Sequence, residues 1–143
     1  MASVEDHRPR ESSLRVVLRL ALALFFVIAG TLHFLRPALY VHITPPYLPW
    51  PLFLVYLSGA FEILGGCAVL PTQTRRWAGI GLIALLLAVI PANIHMVVHP
   101  EPIAGWDVPL WLLWLRLPVQ GVLIAWAYWA TSSPAAPKQP RCS

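Results

Sequence analysis

The sequence predicts an all-α fold: a polytopic membrane protein built as a bundle of four transmembrane helices. Three observations predict it. Hydrophobic residues fill 58% of the 143 positions and charged residues only 11%, against roughly 25% charged in an ordinary soluble domain. The apolar residues gather in four runs, each near the ~20 residues that a helix needs to cross a bilayer. Prolines and short polar clusters separate the runs. The same figures exclude disorder, which goes with low hydrophobicity and high charge. They leave too few charges to coat a small soluble domain. Four spans use most of the chain, so a separate catalytic domain is not expected.

Residues 1–13 are polar and mixed in charge and read as a cytoplasmic tail. The membrane domain is expected over residues 14–131. Its first span is 14–35, with Arg15 and Arg19 at its start. A cleaved signal peptide, with Ala29 before the cut, is the competing reading. The apolar stretch after Arg19 is longer than a usual signal core of about 7–15 residues and no polar region follows it, so a helix is preferred. Residues 36–50 carry Pro37, Pro45, Pro46 and Pro49 with Tyr40, Tyr47 and Trp50, and read as an interfacial loop holding at most a short helical turn. Pro51 opens the second span, 51–70, because a first helical position needs no N–H partner, and Pro71 ends it. Residues 72–76 make a tight polar turn. The third span is 77–98, a second proline-rich loop fills 99–109, and the fourth span is 110–130. Residues 132–143 read as a disordered cytoplasmic tail.

The net charge is +4, but no basic stripe with interleaved aromatics is present, so nucleic acid is not an expected partner. The lipid bilayer is. Of the ten basic residues, Arg8, Arg10, Arg15, Arg19, Arg75, Arg76, Lys138 and Arg141 fall on one side, Arg36 on the other and Arg116 within a span. The positive-inside rule then places both termini in the cytoplasm of a multi-pass cell-membrane protein, with the proline-rich loops outside. Tyr40, Tyr47, Trp50, Trp106 and Trp111 would form the outer aromatic belt, and Trp77, Trp126, Tyr128 and Trp129 the inner one.

Polar groups inside spans are costly and need a partner or a wet cavity. Glu62 is expected about 16 Å from the outer surface and Arg116 about 9 Å, at 1.5 Å per residue, and the two are expected to pair. His33, Asn93 and His95 lie near the outer ends of their spans. Gln120 follows Arg116 by one helical turn and shares its face. These six residues form a candidate outward-facing polar pocket; the plainer reading is polar glue between helices. His95 and His99 have metal-ligand spacing, but Pro100 follows and no third ligand is evident, so no metal is assigned. Cys67 reads as an apolar filler and Cys142 falls in the tail; their spacing makes neither a metal site nor a disulfide framework. Pro91 and Pro118 interrupt spans beside the polar cluster. Gly59, Gly65, Gly66, Gly79 and Gly81 would let helices approach closely.

Four segments in order, GTLHF at 30–34, SGAFEILGG at 58–66, PANIHM at 91–96 and RLPVQ at 116–120, resemble the DoxX-like family of small four-helix membrane proteins across residues 14–131. The resemblance implies that His33, Glu62, Asn93, Arg116 and Gln120 are the family's characteristic polar positions. The family takes its name from a membrane subunit linked to thiosulfate:quinone oxidoreductase. Relatives are associated with redox or sulfur metabolism, or with maturation of a periplasmic enzyme. The resemblance therefore implies an accessory subunit of a quinone-linked membrane redox system. Its pocket would take a quinone, with a membrane or periplasmic redox protein as partner and a homo-oligomer possible. This chain departs from a complete enzyme in having no flavin or haem signature and no cysteine pair, and no catalytic residue is assigned. The alternatives are a membrane scaffold or assembly factor without a ligand and a small transporter.

Overall fold

The computed structural model describes residues 12–100 and 108–132. The tail and loop expectations that fall on residues 1–11, 101–107 and 133–143 lie outside them, including Trp106 and Cys142. The described residues are helical: α1 (Ser13–Leu35), α2 (Pro37–His42), α3 (Pro51–Ala68), α4 (Arg75–Ala88), α5 (Ile90–Val98) and α6 (Leu110–Thr131). Four stretches are long and apolar enough to cross a membrane: α1, α3, α4 with α5, and α6. The chain is a multi-pass membrane protein with a four-helix transmembrane bundle, as the composition predicts.

The bundle has little interior. Its core is Leu22, Ala23 and Phe26 of α1, Val69, Ala78, Leu82 and Leu86, with Ala127 and Ala130 of α6. Large apolar side chains such as Leu24, Phe53, Leu64, Trp77 and Val122 point outward, which suits a lipid solvent and would be untenable in water. Phe26 is 1% exposed and Leu22 0%, so α1 is built into the core. Cys67, expected as filler, is exposed on the outer face of α3.

α1 and α3 approach closest. A β-carbon on Gly30 would stand 2.5 Å from the Gly59 carbonyl oxygen, and one on Gly59 would stand 2.7 Å from His33 Cβ. Such distances are impossible, so small residues at both positions let the two backbones touch, the usual device in lipid. Gly66 makes a similar approach to Ala23. Gly81, expected to act in the same way, has nothing within 4 Å and lies on an exposed face.

The third span is broken. Pro91 cannot donate to the preceding turn, and α4 ends at Ala88 before α5 begins at Ile90. Pro118 lies inside α6 without dividing it. At the opposite end from α2, the start of α1, the α3–α4 turn and the end of α6 come together. Arg19, which the sequence places at the start of the first span on the cytoplasmic side, is 4% exposed there. Its Nε donates to Ala130 O at 2.9 Å, serving a last-turn carbonyl that has no helical partner. One turn earlier, Arg15 lies 4.9 Å from the centroid of the Trp129 ring, a cation–π contact.

Gly30→Val and Gly59→Val should each destabilise the protein by about 1–3 kcal/mol, the usual cost of overpacking. Gly81→Ala should match or exceed the parent, because an exposed helical glycine is only an entropic loss. Thermal unfolding in detergent, followed by circular dichroism, distinguishes the two classes.

Candidate functional site

The six expected pocket residues separate into three groups. The first joins α1, α2 and α3. His33 Nδ1 donates to Ala29 O at 2.9 Å, which puts the ring proton on Nδ1 and leaves Nε2 as an acceptor in the neutral ring. The same Nδ1 lies 3.4 Å from Glu62 Oε2. That carboxyl oxygen is buried and has no hydrogen-bond partner. The Gly30–Gly59 contact sets this geometry, since Gly59 and Glu62 are three residues apart on α3 and His33 is three residues after Gly30 on α1. Tyr40 of α2 closes the group by stacking on His33, centroids 3.8 Å apart and planes at 24°.

The second group joins α5 to α6. Asn93 Nδ2 donates to Gln120 Oε1 at 2.9 Å, and Gln120 Nε2 donates to Leu86 O. Leu86 lies in the last turn of α4, where the Pro91 break frees carbonyls from the helical ladder. Gln120 therefore closes the break and Asn93 holds Gln120. This pair is polar glue in the sense the sequence allows.

The third group is the α2-end rim. Arg116 does not pair with Glu62 as expected. Its Nη1 donates to Met96 Sδ at 3.4 Å, one helical turn from the Asn93–Gln120 contact, so Arg116 and Gln120 do share the face turned to α5. Glu62 faces α1 instead, because the close α1–α3 approach turns it toward His33. Arg116 also lines a cleft of about 190 Å³ with Leu32, Arg36, Leu39, Tyr40 and Ile43. His95 falls in a separate cavity of about 190 Å³, with His42, Met96, His99 and Leu113 among its walls. The His95 and His99 rings lie 4.8 Å apart.

Tyr40 is the residue that sequence reading missed. It was legible only as an interfacial aromatic. Here it forms one wall of the Arg116 cleft and covers the His33–Glu62 pair. Its burial raises the phenol above its ordinary value; negative charge at Glu62 raises it further and Arg116 opposes. Tyr40 is stacked on His33 and lines the Arg116 cleft, so the candidate site consists of His33, Glu62, Tyr40 and Arg116.

Chemically, this arrangement offers an imidazole whose Nδ1 stands 3.4 Å from a carboxyl oxygen, a phenol stacked on the imidazole and a guanidinium in the adjoining cleft. Arg116 spends one of its five donors on a thioether, a weak acceptor. The cleft presents the Arg116 guanidinium and the Tyr40 phenol, which can hydrogen-bond a carbonyl or anionic head.

A double-mutant cycle on His33→Leu and Glu62→Leu should show coupling within the ~0.5–3 kcal/mol expected of contacting groups. The Glu62→Leu and Arg116→Leu cycle should be nearer to additive. Unfolding in detergent measures both, and the reverse ranking would restore the Glu62–Arg116 pair.

A family model described as "Domain of unknown function (DUF8561)" matches residues 22–131. That range holds every residue of the three groups. Neither the curated proteins nor the solved structures contain a match to the chain.

Proposed function

Taking as premise that the chain belongs to the DUF8561 family, we propose that it is an accessory subunit of a quinone-linked membrane redox system. The observation that carries this reading is the buried Glu62 Oε2, which has no hydrogen-bond partner yet lies 3.4 Å from His33. An unpartnered carboxyl oxygen inside a span is costly unless a ligand or a proton path uses it. Tyr40 and Arg116 line the adjoining cleft, where a quinone head would find a phenol, a guanidinium and apolar walls from Leu32, Leu39 and Ile43. Arg116 and Tyr40 would hold the carbonyl oxygens, while Glu62 and His33 would move the proton. Electrons would pass between the quinone and a partner redox protein.

The motif resemblance to DoxX-like proteins supports the same reading. The asymmetry of charge supports the orientation: Arg15, Arg19, Arg75 and Arg76 share one end of the bundle, so by the positive-inside rule that end is cytoplasmic and the α2 end faces outward. A second reading, a scaffold or assembly factor, is favoured by the Asn93–Gln120–Leu86 contacts, which need no ligand to explain them.

The experiment is native mass spectrometry of the protein from mild detergent, joined to quinone-linked electron transfer in membranes. Wild type should carry a quinone. Arg116→Leu should lose it with helical content unchanged. Glu62→Gln should keep the quinone and abolish electron transfer. Normal electron transfer in Glu62→Gln membranes at normal protein level would sink the relay, and a bound protein partner without any small molecule would favour the scaffold.

A further inference from the structure

A cleft of about 370 Å³ lies at the other end of the bundle between α4 and α6, and the redox reading does not use it. Its walls include Arg76, Ile80 and Ile83 of α4, spaced i, i+4, i+7, and Tyr128 and Thr131 of α6 with Ser132 just after it. Each set forms one helical face. The floor is apolar and faces the bilayer, with Ile80 48% exposed. The polar groups all sit at the arginine-rich end, beside Trp77 and Trp129, whose exposed rings suit the membrane interface. Gly79 lets α4 and α6 meet beside the cleft, because a β-carbon there would collide with the Thr131 side chain.

We propose that this cleft binds one anionic phospholipid, with a chain along Ile80 and Ile83 and its phosphate at Arg76. The charge argument is specific to Arg76. Neighbouring Arg75 turns back to donate to Val69 O and Leu70 O, and Arg19 and Arg15 are turned to α6. Arg76 instead lines the cleft, where its planar fork matches a phosphate. Tyr128 adds a second donor on the facing helix. The Thr131 hydroxyl donates to Ala127 O and the Ser132 hydroxyl to Trp129 O, so both present an oxygen that accepts from a headgroup hydroxyl. A basic pocket between transmembrane helices at the headgroup level is the form such lipid sites take. The inference needs only that the bundle spans a membrane; it is independent of the redox reading and of the orientation.

The test is native mass spectrometry of the full chain with phosphatidylglycerol or phosphatidylcholine added to the detergent. Wild type should retain one phosphatidylglycerol in preference to phosphatidylcholine. Arg76→Gln should lower that retention about five-fold, the size expected for one basic residue at an anionic surface. Ile80→Trp fills the cleft without touching the charge and should lower it as well. Circular dichroism and size-exclusion chromatography confirm the fold of each variant. Equal retention of the two lipids by wild type would overturn the proposal with no variant needed. Loss in Arg76→Gln but not in Ile80→Trp would also overturn it, because the arginine would then act only as surface charge. So would displacement of the lipid by inorganic phosphate alone, which would make the site a phosphate site.

Discussion

In lipid every backbone carbonyl must find its partner within the protein, and most of the polar chemistry of this chain follows from that requirement. Arg19 serves Ala130 O at the end of α6. Gln120 serves Leu86 O where Pro91 breaks the third span, and Asn93 holds Gln120 in place. Arg75 serves Val69 O and Leu70 O after α3 ends. Thr31, Ser58 and Thr131 each bond back to their own helix, and Thr44, just after α2, bonds back to Tyr40 O. Once these are set aside, few polar groups inside the bundle lack a structural reason. Among the described residues, Glu62 Oε2 and Trp126 Nε1 are the buried side-chain atoms without a hydrogen-bond partner, and of the two only Glu62 can carry charge or a mobile proton. Subtraction thus points to the same place as the cleft: the α2 end, where His33, Tyr40 and Arg116 gather.

The close approach of α1 and α3 decides what Glu62 meets. Gly30 and Gly59 bring the backbones together, so Glu62 is held against the α1 face that carries His33. A wider spacing would leave room for the long reach toward α6 that the sequence alone suggests. The depth estimate behind that expectation treats helices as parallel rods and cannot include the rotation that a glycine contact imposes. Arg116 then turns to the thioether of Met96 and to the open cleft.

Prolines made the ends of the spans readable, because Pro51 suits a helix start and Pro71 a stop. The amphipathic pattern could not show the bundle interior, since lipid-facing and core-facing residues are equally apolar. Leu22 and Leu24 look alike in sequence, yet one is buried and the other exposed. The same blindness put Gly81 among the contact glycines, overlooked Gly30, and filed Cys67 as filler. In the sequence Arg19 counts only as one more basic residue at the start of a span, because a buried arginine serving a carbonyl has no local signature; its partner is 111 residues away. Tyr40 was hidden for a similar reason. An aromatic residue in a proline-rich loop reads as belt, and only the fold of α2 brings it over His33.

α2 is the element on which fold and function bear together. Its six residues are far too few to be helical alone, since isolated helices shorter than about 12–15 residues are marginal. It is held by packing on α1 and α3 and by the proline turns on either side, with Pro45 buried beneath. The stack of Tyr40 on His33 is one of those holding contacts, and it is also the cover of the His33–Glu62 pair. A ligand that entered from the cleft and displaced that ring would weaken the hold on α2 as it reached the carboxyl. One aromatic contact thus both helps to hold α2 and covers the His33–Glu62 pair.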